Sequence, residues 1–250
     1  MTLRKLGTQL NLYPASGADS TFTSVNKFGR NSAVASGGTE EIWDGSFAYI
    51  FSSTADITHI RSAVDSATTQ GAVIEVQGLD ANWTLVVQTK ALDGTNSETE
   101  VELDTALIRV FRMKVLDAAA MDQDIWAGDD DFIVSAAKAI ITAGNNQTLM
   151  AIYTVPADKV GYITNYWAHH NPTTGQTFTS NPMRLWARDN ANGYEKQLKH
   201  IVGIAADGLF LHPFVPYLKV GEKTDVFLTS SPVSGVADIS AGFDLILTND

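Results

Sequence analysis

Apolar and polar residues alternate with a period of two through much of this chain. The clearest case is the stretch from Gln147 to Ala168, which reads as strand, tight turn, strand. Leu149, Ala151, Tyr153 and Val155 alternate with Met150, Ile152 and Thr154, and β-branched and aromatic residues dominate. Pro156 lacks a ladder donor and suits a strand end, so Ala157-Asp158-Lys159 is expected to turn. A second strand then places Val160, Tyr162, Thr164 and Tyr166 opposite Ile163, Asn165 and Trp167. Both faces carry large apolar groups, so this predicted hairpin needs a partner on each side: a second sheet or a second subunit.

The same pattern predicts strands on both sides of it. Upstream they run through Ile42–Phe51, Ala72–Gly78, Trp83–Leu92 and Ala106–Leu116, and Glu98–Leu103 alternates acidic and small residues. Asp56–Ala67 fits a helical face or a strand equally well. In the second half of the chain, that stretch included, they cover Phe132–Ser135, Ala139–Thr142, Thr148–Val155, Gly161–His169, Met183–Arg188, Tyr194–Val202, Leu209–Val215, Asp225–Ser230 and Ala237–Leu247. In the last, Ile239, Ala241, Phe243, Leu245 and Leu247 share one face, and Asp238, Ser240, Gly242 and Asp244 the other. Short strands separated by turn residues predict an all-β protein. The expected architecture is an antiparallel β-sandwich or jelly roll over 129–250, preceded by a smaller β-rich domain over 26–128 and an extended arm over 1–25. The boundary follows a shift from the alanine-rich Asp117–Met121 to the acidic Asp122–Asp131.

Composition narrows the function classes. The 250 residues are 44% hydrophobic, enough for a substantial core, and no apolar run is long enough for a transmembrane helix. No membrane association and no secretory leader are expected. The formal net charge of −11 disfavours a broad surface for nucleic acid. Cysteine is absent, which removes disulfides and thiolate metal sites.

Motifs for chemistry are sparse. There is no Gly-x-Ser-x-Gly elbow and no phosphate loop. His169 and His170 are adjacent, so on a strand they point to opposite faces and do not share one ion. The acidic run Asp122, Asp124, Asp129, Asp130 and Asp131 invites calcium but fails the EF-hand pattern. Trp126 stands where a ligand is needed, Ala127 where Gly is needed and Ile133 where Glu is needed. These five aspartates remain weak candidates for a different calcium site; otherwise they are a solvated loop. No cofactor and no catalytic residue are expected. The five tryptophans Trp43, Trp83, Trp126, Trp167 and Trp186 are read as core or interface residues, with a sugar platform as the sharper alternative.

Several segments together resemble a recurring type of virion structural protein of tailed bacteriophages. They are Asn26-Lys27-Phe28-Gly29-Arg30-Asn31, Ile42-Trp43-Asp44-Gly45, Val73 through Asp80, Leu107 through Arg112, and Ala151 through Ala157. The resemblance implies a non-enzymatic, β-rich particle component made in the infected bacterial cytoplasm and built into the virion. A capsid decoration (cement) protein is the first expectation. It would be homo-oligomeric, with a trimer favoured, and its partners would be the major capsid protein or other virion proteins. A tail, collar or baseplate component with a receptor- or carbohydrate-facing surface is the alternative. On the first reading, Phe28, Tyr162, Tyr166 and Trp167 are expected at contacts, with Arg30 as an anchoring charge.

Overall fold

The computed structural model describes residues 15–17, 21–45, 47–117, 120–131, 133–171, 180–205 and 208–249. Sixteen strands are found among them. In chain order these begin with β1 (Phe22–Ala35), β2 (Glu40–Glu41), β3 (Ile57–Ser62), β4 (Val73–Leu79), β5 (Leu85–Ala91), β6 (Val101–Leu107), β7 (Arg109–Val115) and β8 (Ile125–Gly128). They continue with β9 (Ala139–Ile141), β10 (Ile152–Thr154), β11 (Lys159–Asn171), β12 (Asn181–Asp189), β13 (Gln197–Ile204), β14 (Leu209–Val220), β15 (Thr224–Ser230) and β16 (Val236–Asn249). Every strand pairing is antiparallel. The protein is all-β, built from several antiparallel sheets in a sandwich arrangement.

The outer sheet has the order β1-β16-β11-β14. It packs on a wall sheet of order β10-β15-β12-β13, to which β2 adds along β15. Ile163, Tyr166 and Ala168 of β11 and Ile239, Ala241, Phe243 and Leu245 of β16 meet Met183, Leu185, Val226 and Leu228 of the wall in one core. The wall's opposite face supplies Ile152 and Phe227 to a second core, with Ile60 of β3, Ile74 and Val76 of β4, Met113 of β7 and Ile125 of β8. That core is closed by two further sheets, β6-β3-β8-β9 and β5-β4-β7. The alternation in β15 is therefore apolar on both sides, and each of its residues is buried. Two cores on one wall explain why Val226, Phe227 and Leu228 are apolar without alternation.

A buried ion network joins the wall to the smaller sheets. Asp225 of β15 is fully buried and receives Arg109 of β7 at 2.8 and 3.1 Å. Arg188 of β12 donates to the same carboxylate at 3.0 and 2.6 Å, and Thr154 donates at 2.6 Å. Arg109 also donates to the Ser52 and Ile108 carbonyls, and its guanidinium lies 4.9 Å from the Trp83 ring and 5.3 Å from Phe51. Burial alone would raise the Asp225 pKa; the Arg109 hydrogen bond and the two guanidinium charges outweigh it and hold it below the usual carboxylate range.

The structure departs from the sequence expectations in specific places. The segments on either side of Pro156 are not a hairpin: β10 pairs with β15 in the wall, while β11 pairs with β14 and β16 in the outer sheet. The turn is a corner between sheets, held by the Ala157 N–H donating to the Trp83 carbonyl and by Asp158 at φ +59°. Ile42–Phe51 forms no long strand; Trp43 makes one bridge to Met150 and the rest is irregular, with ring packing of Trp43, Phe47, Tyr49 and Phe51 in place of a ladder. Asp56–Ala67 resolves as the strand β3. Ala106–Leu116 breaks at Ile108, where the chain passes from the β6 sheet to the β7 sheet. Val134–Ala136 is a single 3-10 turn where a strand was expected, with Phe132 outside the described residues.

Strand pairing also groups the chain differently from a division near residue 128. β1 and β2 belong to the sandwich, through β16 and β15, whereas β8 and β9 belong with β3 and β6. The smaller sheets, β3 to β9, are thus an insert between sandwich strands. Most of the proposed 1–25 arm lies outside the described residues; its end, from Phe22, is already β1.

Candidate interaction surface

Register across the outer sheet lines up its solvent-facing residues in rows. Phe28 of β1 is opposite Gly242 of β16, Gly242 is opposite Trp167 of β11, and Trp167 is opposite Leu211 of β14. The row below runs Arg30, Ser240, His169, Leu209, and the row above runs Asn26, Asp244, Asn165, Pro213. Gly242 makes the central row possible. A Cβ there would stand 2.4 Å from the Lys27 carbonyl oxygen and 2.9 Å from the Trp167 indole. The Trp167 ring thus lies over bare backbone.

Polar groups fix the flanks. Asp244 accepts hydrogen bonds from Asn26 and from Asn165, the latter at 3.0 Å. Arg30 donates to Asp238 from Nε at 2.9 Å and from Nη2 at 2.5 Å. Asn171 donates to Asp238 and to Ser240, both at 2.9 Å. Burial works to raise the Asp238 carboxyl, but the Arg30 and Asn171 hydrogen bonds prevail and lower it. Arg30 itself is exposed, and hydrogen bonding to Asp238 raises its pKa.

β14 is the free edge of this sheet and bears its most exposed apolar groups. Leu209, Leu211 and Val215 are 73%, 64% and 88% exposed. Their neighbours Phe210, His212 and Phe214 turn inward, where they close the mouth of the sandwich against β13, the free edge of the wall. Within that mouth the His200 and His212 rings stack at 4.2 Å, and His200 Nδ1 lies 2.6 Å from the Tyr166 hydroxyl. Burial, then the nearby His212, lower the His200 pKa. At the opposite edge the sandwich is shut: Gly29 of β1 lies so close to the Ile42 carbonyl and the Ala151 amide that a Cβ would reach 2.4 and 2.5 Å.

The structure therefore brings Phe28, Arg30 and Trp167 onto one face. Tyr162 is half-buried on β11, across the bulge between Ile163 and Asn165. Tyr166 is a correction: it is fully buried, because that bulge shifts the alternation and turns its ring into the core. Leu209, Leu211 and Val215 were not singled out from sequence. Their signal was present in the Leu209–Val215 strand, where both alternating sets are apolar although a sheet edge has few partners.

The acidic run is dispersed rather than gathered. Asp122 accepts from the Ser66 and Thr69 hydroxyls at 2.7 and 2.9 Å, which lowers its pKa, and Asp124 accepts the Ala143 N–H at 2.8 Å. Both act as loop staples. Asp129, Asp130 and Asp131 are exposed, and only Asp130 approaches other metal-ligating groups among the described residues. His169 and His170 do face opposite ways, His170 being buried and His169 half-exposed beside Asn171. The tryptophans do not form a platform. Trp43 is core, Trp126 and Trp83 stack under Arg61 and Arg109, and Trp186 lies under Lys196 and donates to Thr229. No helix among the described residues is long and apolar enough to cross a membrane. No family model matches the chain, and a search of curated proteins finds no match.

Proposed function

We propose that this chain is a structural component of a tailed-phage virion, a capsid decoration protein that binds neighbouring shell subunits through the outer sheet. The observation that carries this reading is the β14 edge: exposed Leu211 continues the row of Trp167 and Phe28, and Leu209 and Val215 extend the apolar edge on either side of it. A long apolar edge strand with open backbone groups accepts another protein's strand or side chains. Aromatic anchors ringed by hydrogen-bonded polar groups have the anatomy of an interface centre and rim.

The strand order supports the same class. Setting aside β2 and the insert, the eight sandwich strands run 1-8-3-6 in one sheet and 2-7-4-5 in the other. We read this as a jelly roll, an architecture shared by viral coat proteins, lectins and cupins, so it narrows the fold more than the task. The segments that resemble phage virion proteins supply the rest of the reading. The net charge of −11 suits a partner outside the packaged DNA. On this reading the protein is non-enzymatic, assembles in the host cytoplasm, functions in the virion and associates as a trimer with the major capsid protein as partner.

The test is to incubate the purified chain with purified shells lacking it and to count bound copies by sedimentation and imaging. Shell-wide occupancy at a fixed ratio to the major capsid protein is expected. A few copies at one vertex would transfer the protein to the tail, collar or baseplate, and no binding to any particle would remove the virion reading altogether.

A further inference from the structure

The insert holds a second site unrelated to the outer sheet. His59 lies on β3, Glu100 in the turn leading into β6, and Asp130 in the loop after β8. One ring nitrogen of His59 and one carboxylate oxygen from each of Glu100 and Asp130 lie within 4.8 Å of one another. Register explains the convergence. β3 is flanked by β6 and β8, and His59 is paired with Glu102 on one side and Gly128 on the other. Glu100 and Asp130 are each two residues beyond those partners, where the chain leaves the sheet.

Their surroundings orient them for a cation. His59 Nδ1 is 2.9 Å from the Thr58 hydroxyl oxygen. The tautomer that donates from Nδ1 to Thr58 leaves Nε2 with its lone pair, the arrangement found behind metal-bound imidazoles. Glu100 Oε2 accepts the Asp131 N–H at 2.9 Å, and Asp131 adopts φ +53°, so the loop folds back toward β3. Arg61 forms a loose ion pair with one oxygen of Glu100. Arg61 Nε stands 3.7 Å from Glu100 Oε1, beyond hydrogen-bond length, while its guanidinium stacks 5.2 Å from the Trp126 ring.

We propose that His59, Glu100 and Asp130 bind a divalent transition-metal ion, with Zn²⁺ the preferred ion, and that the ion pins the loop after β8 to β3. One imidazole nitrogen with two carboxylates suits zinc, which takes such mixed donors and completes its shell with water. Calcium requires six to eight oxygens and gains little from imidazole. The site is structural in this reading, since three of the insert's segments meet at it.

The experiment is calorimetric titration of the chelator-washed full chain with ZnCl₂ and, separately, CaCl₂. One zinc per chain is expected, with calcium at least about ten-fold weaker. His59→Ala and Asp130→Asn should each weaken zinc by about ten-fold or more, while their metal-free thermal midpoints match that of the metal-free parent. A His200→Ala/His212→Ala variant should bind zinc as the parent does. Absence of zinc binding, unchanged affinity in His59→Ala, or loss confined to the His200/His212 variant would each overturn the assignment.

Discussion

β15 and β14 both carry apolar side chains on both faces, yet the first is buried along its whole length and the second leaves its outer face bare. β15 has β10 and β2 along one edge, β12 along the other, and a core on each face. β14 has β11 along one edge only, a core on one face and solvent on the other. Apolar side chains thus have opposite environments in the two strands, and the difference lies in what covers them. In β15 the apolar side chains hold this chain together. In β14 those on the outer face contribute little to the fold, and the proposed interface is what would use them.

The largest test of that contrast falls on the enclosed strand. Asp225→Ala leaves Arg109 buried without its anion and is expected to lower stability by about 3–5 kcal/mol, measured by denaturant unfolding. The carboxyl's depressed pKa gives the pH sign. Its contribution is present above the unfolded-state value near 4 and is lost as pH falls below that value. The parent should therefore lose stability more steeply than Asp225→Ala on acidification.

A second effect, read as a slope against pH, belongs to the covered edge at β1. Lys27 is buried, donates to the Phe111 carbonyl, and has its pKa lowered to about 7 by burial and then by Arg112. Between about 7 and 10.5 the unfolded chain holds a proton that the folded chain does not. Stability should rise with pH across that window by up to about 1.4 kcal/mol per unit from this group. Lys27→Met should flatten the rise, as read from unfolding midpoints at a series of pH values.

The smallest effect on folding falls on the bare strand. Leu209→Ser combined with Leu211→Ser should change unfolding stability by less than about 0.5 kcal/mol per site. The same pair should abolish binding to shells. A large stability loss from this pair, or undiminished binding, would erase the distinction between the two strands.

Much of the sandwich was legible in the chain because its strands keep a strict period of two. β16 is the best example: Ile239, Ala241, Phe243, Leu245 and Leu247 are all buried as their alternation predicts. Pairing was not legible, since the same alternation in 148–169 serves a hairpin or two strands in different sheets, and only tertiary contacts at the Pro156 corner decide. Tyr166 was misread for a related reason: a bulge moves a residue from one face to the other without a mark in the sequence. Phe28 and Trp167 stand out in the chain because each is an aromatic between polar neighbours of its own face, Asn26 and Arg30 for one and Asn165 and His169 for the other. Asp130 stands in the acidic run, but its meeting with His59 and Glu100 was not legible, since no spacing rule links residues joined only by the register of three strands.

The pairing of β1 with β16 has a consequence for biosynthesis. β1 has no other strand partner among the described residues, so an emerging polypeptide carries it single while nearly all the intervening sequence is translated. The insert, whose strands pair among themselves, is free to organise in that interval, whereas the outer sheet waits for β16. The ribosome therefore delivers the Phe28–Trp167 row last, once the strand carrying Gly242 has joined its neighbours.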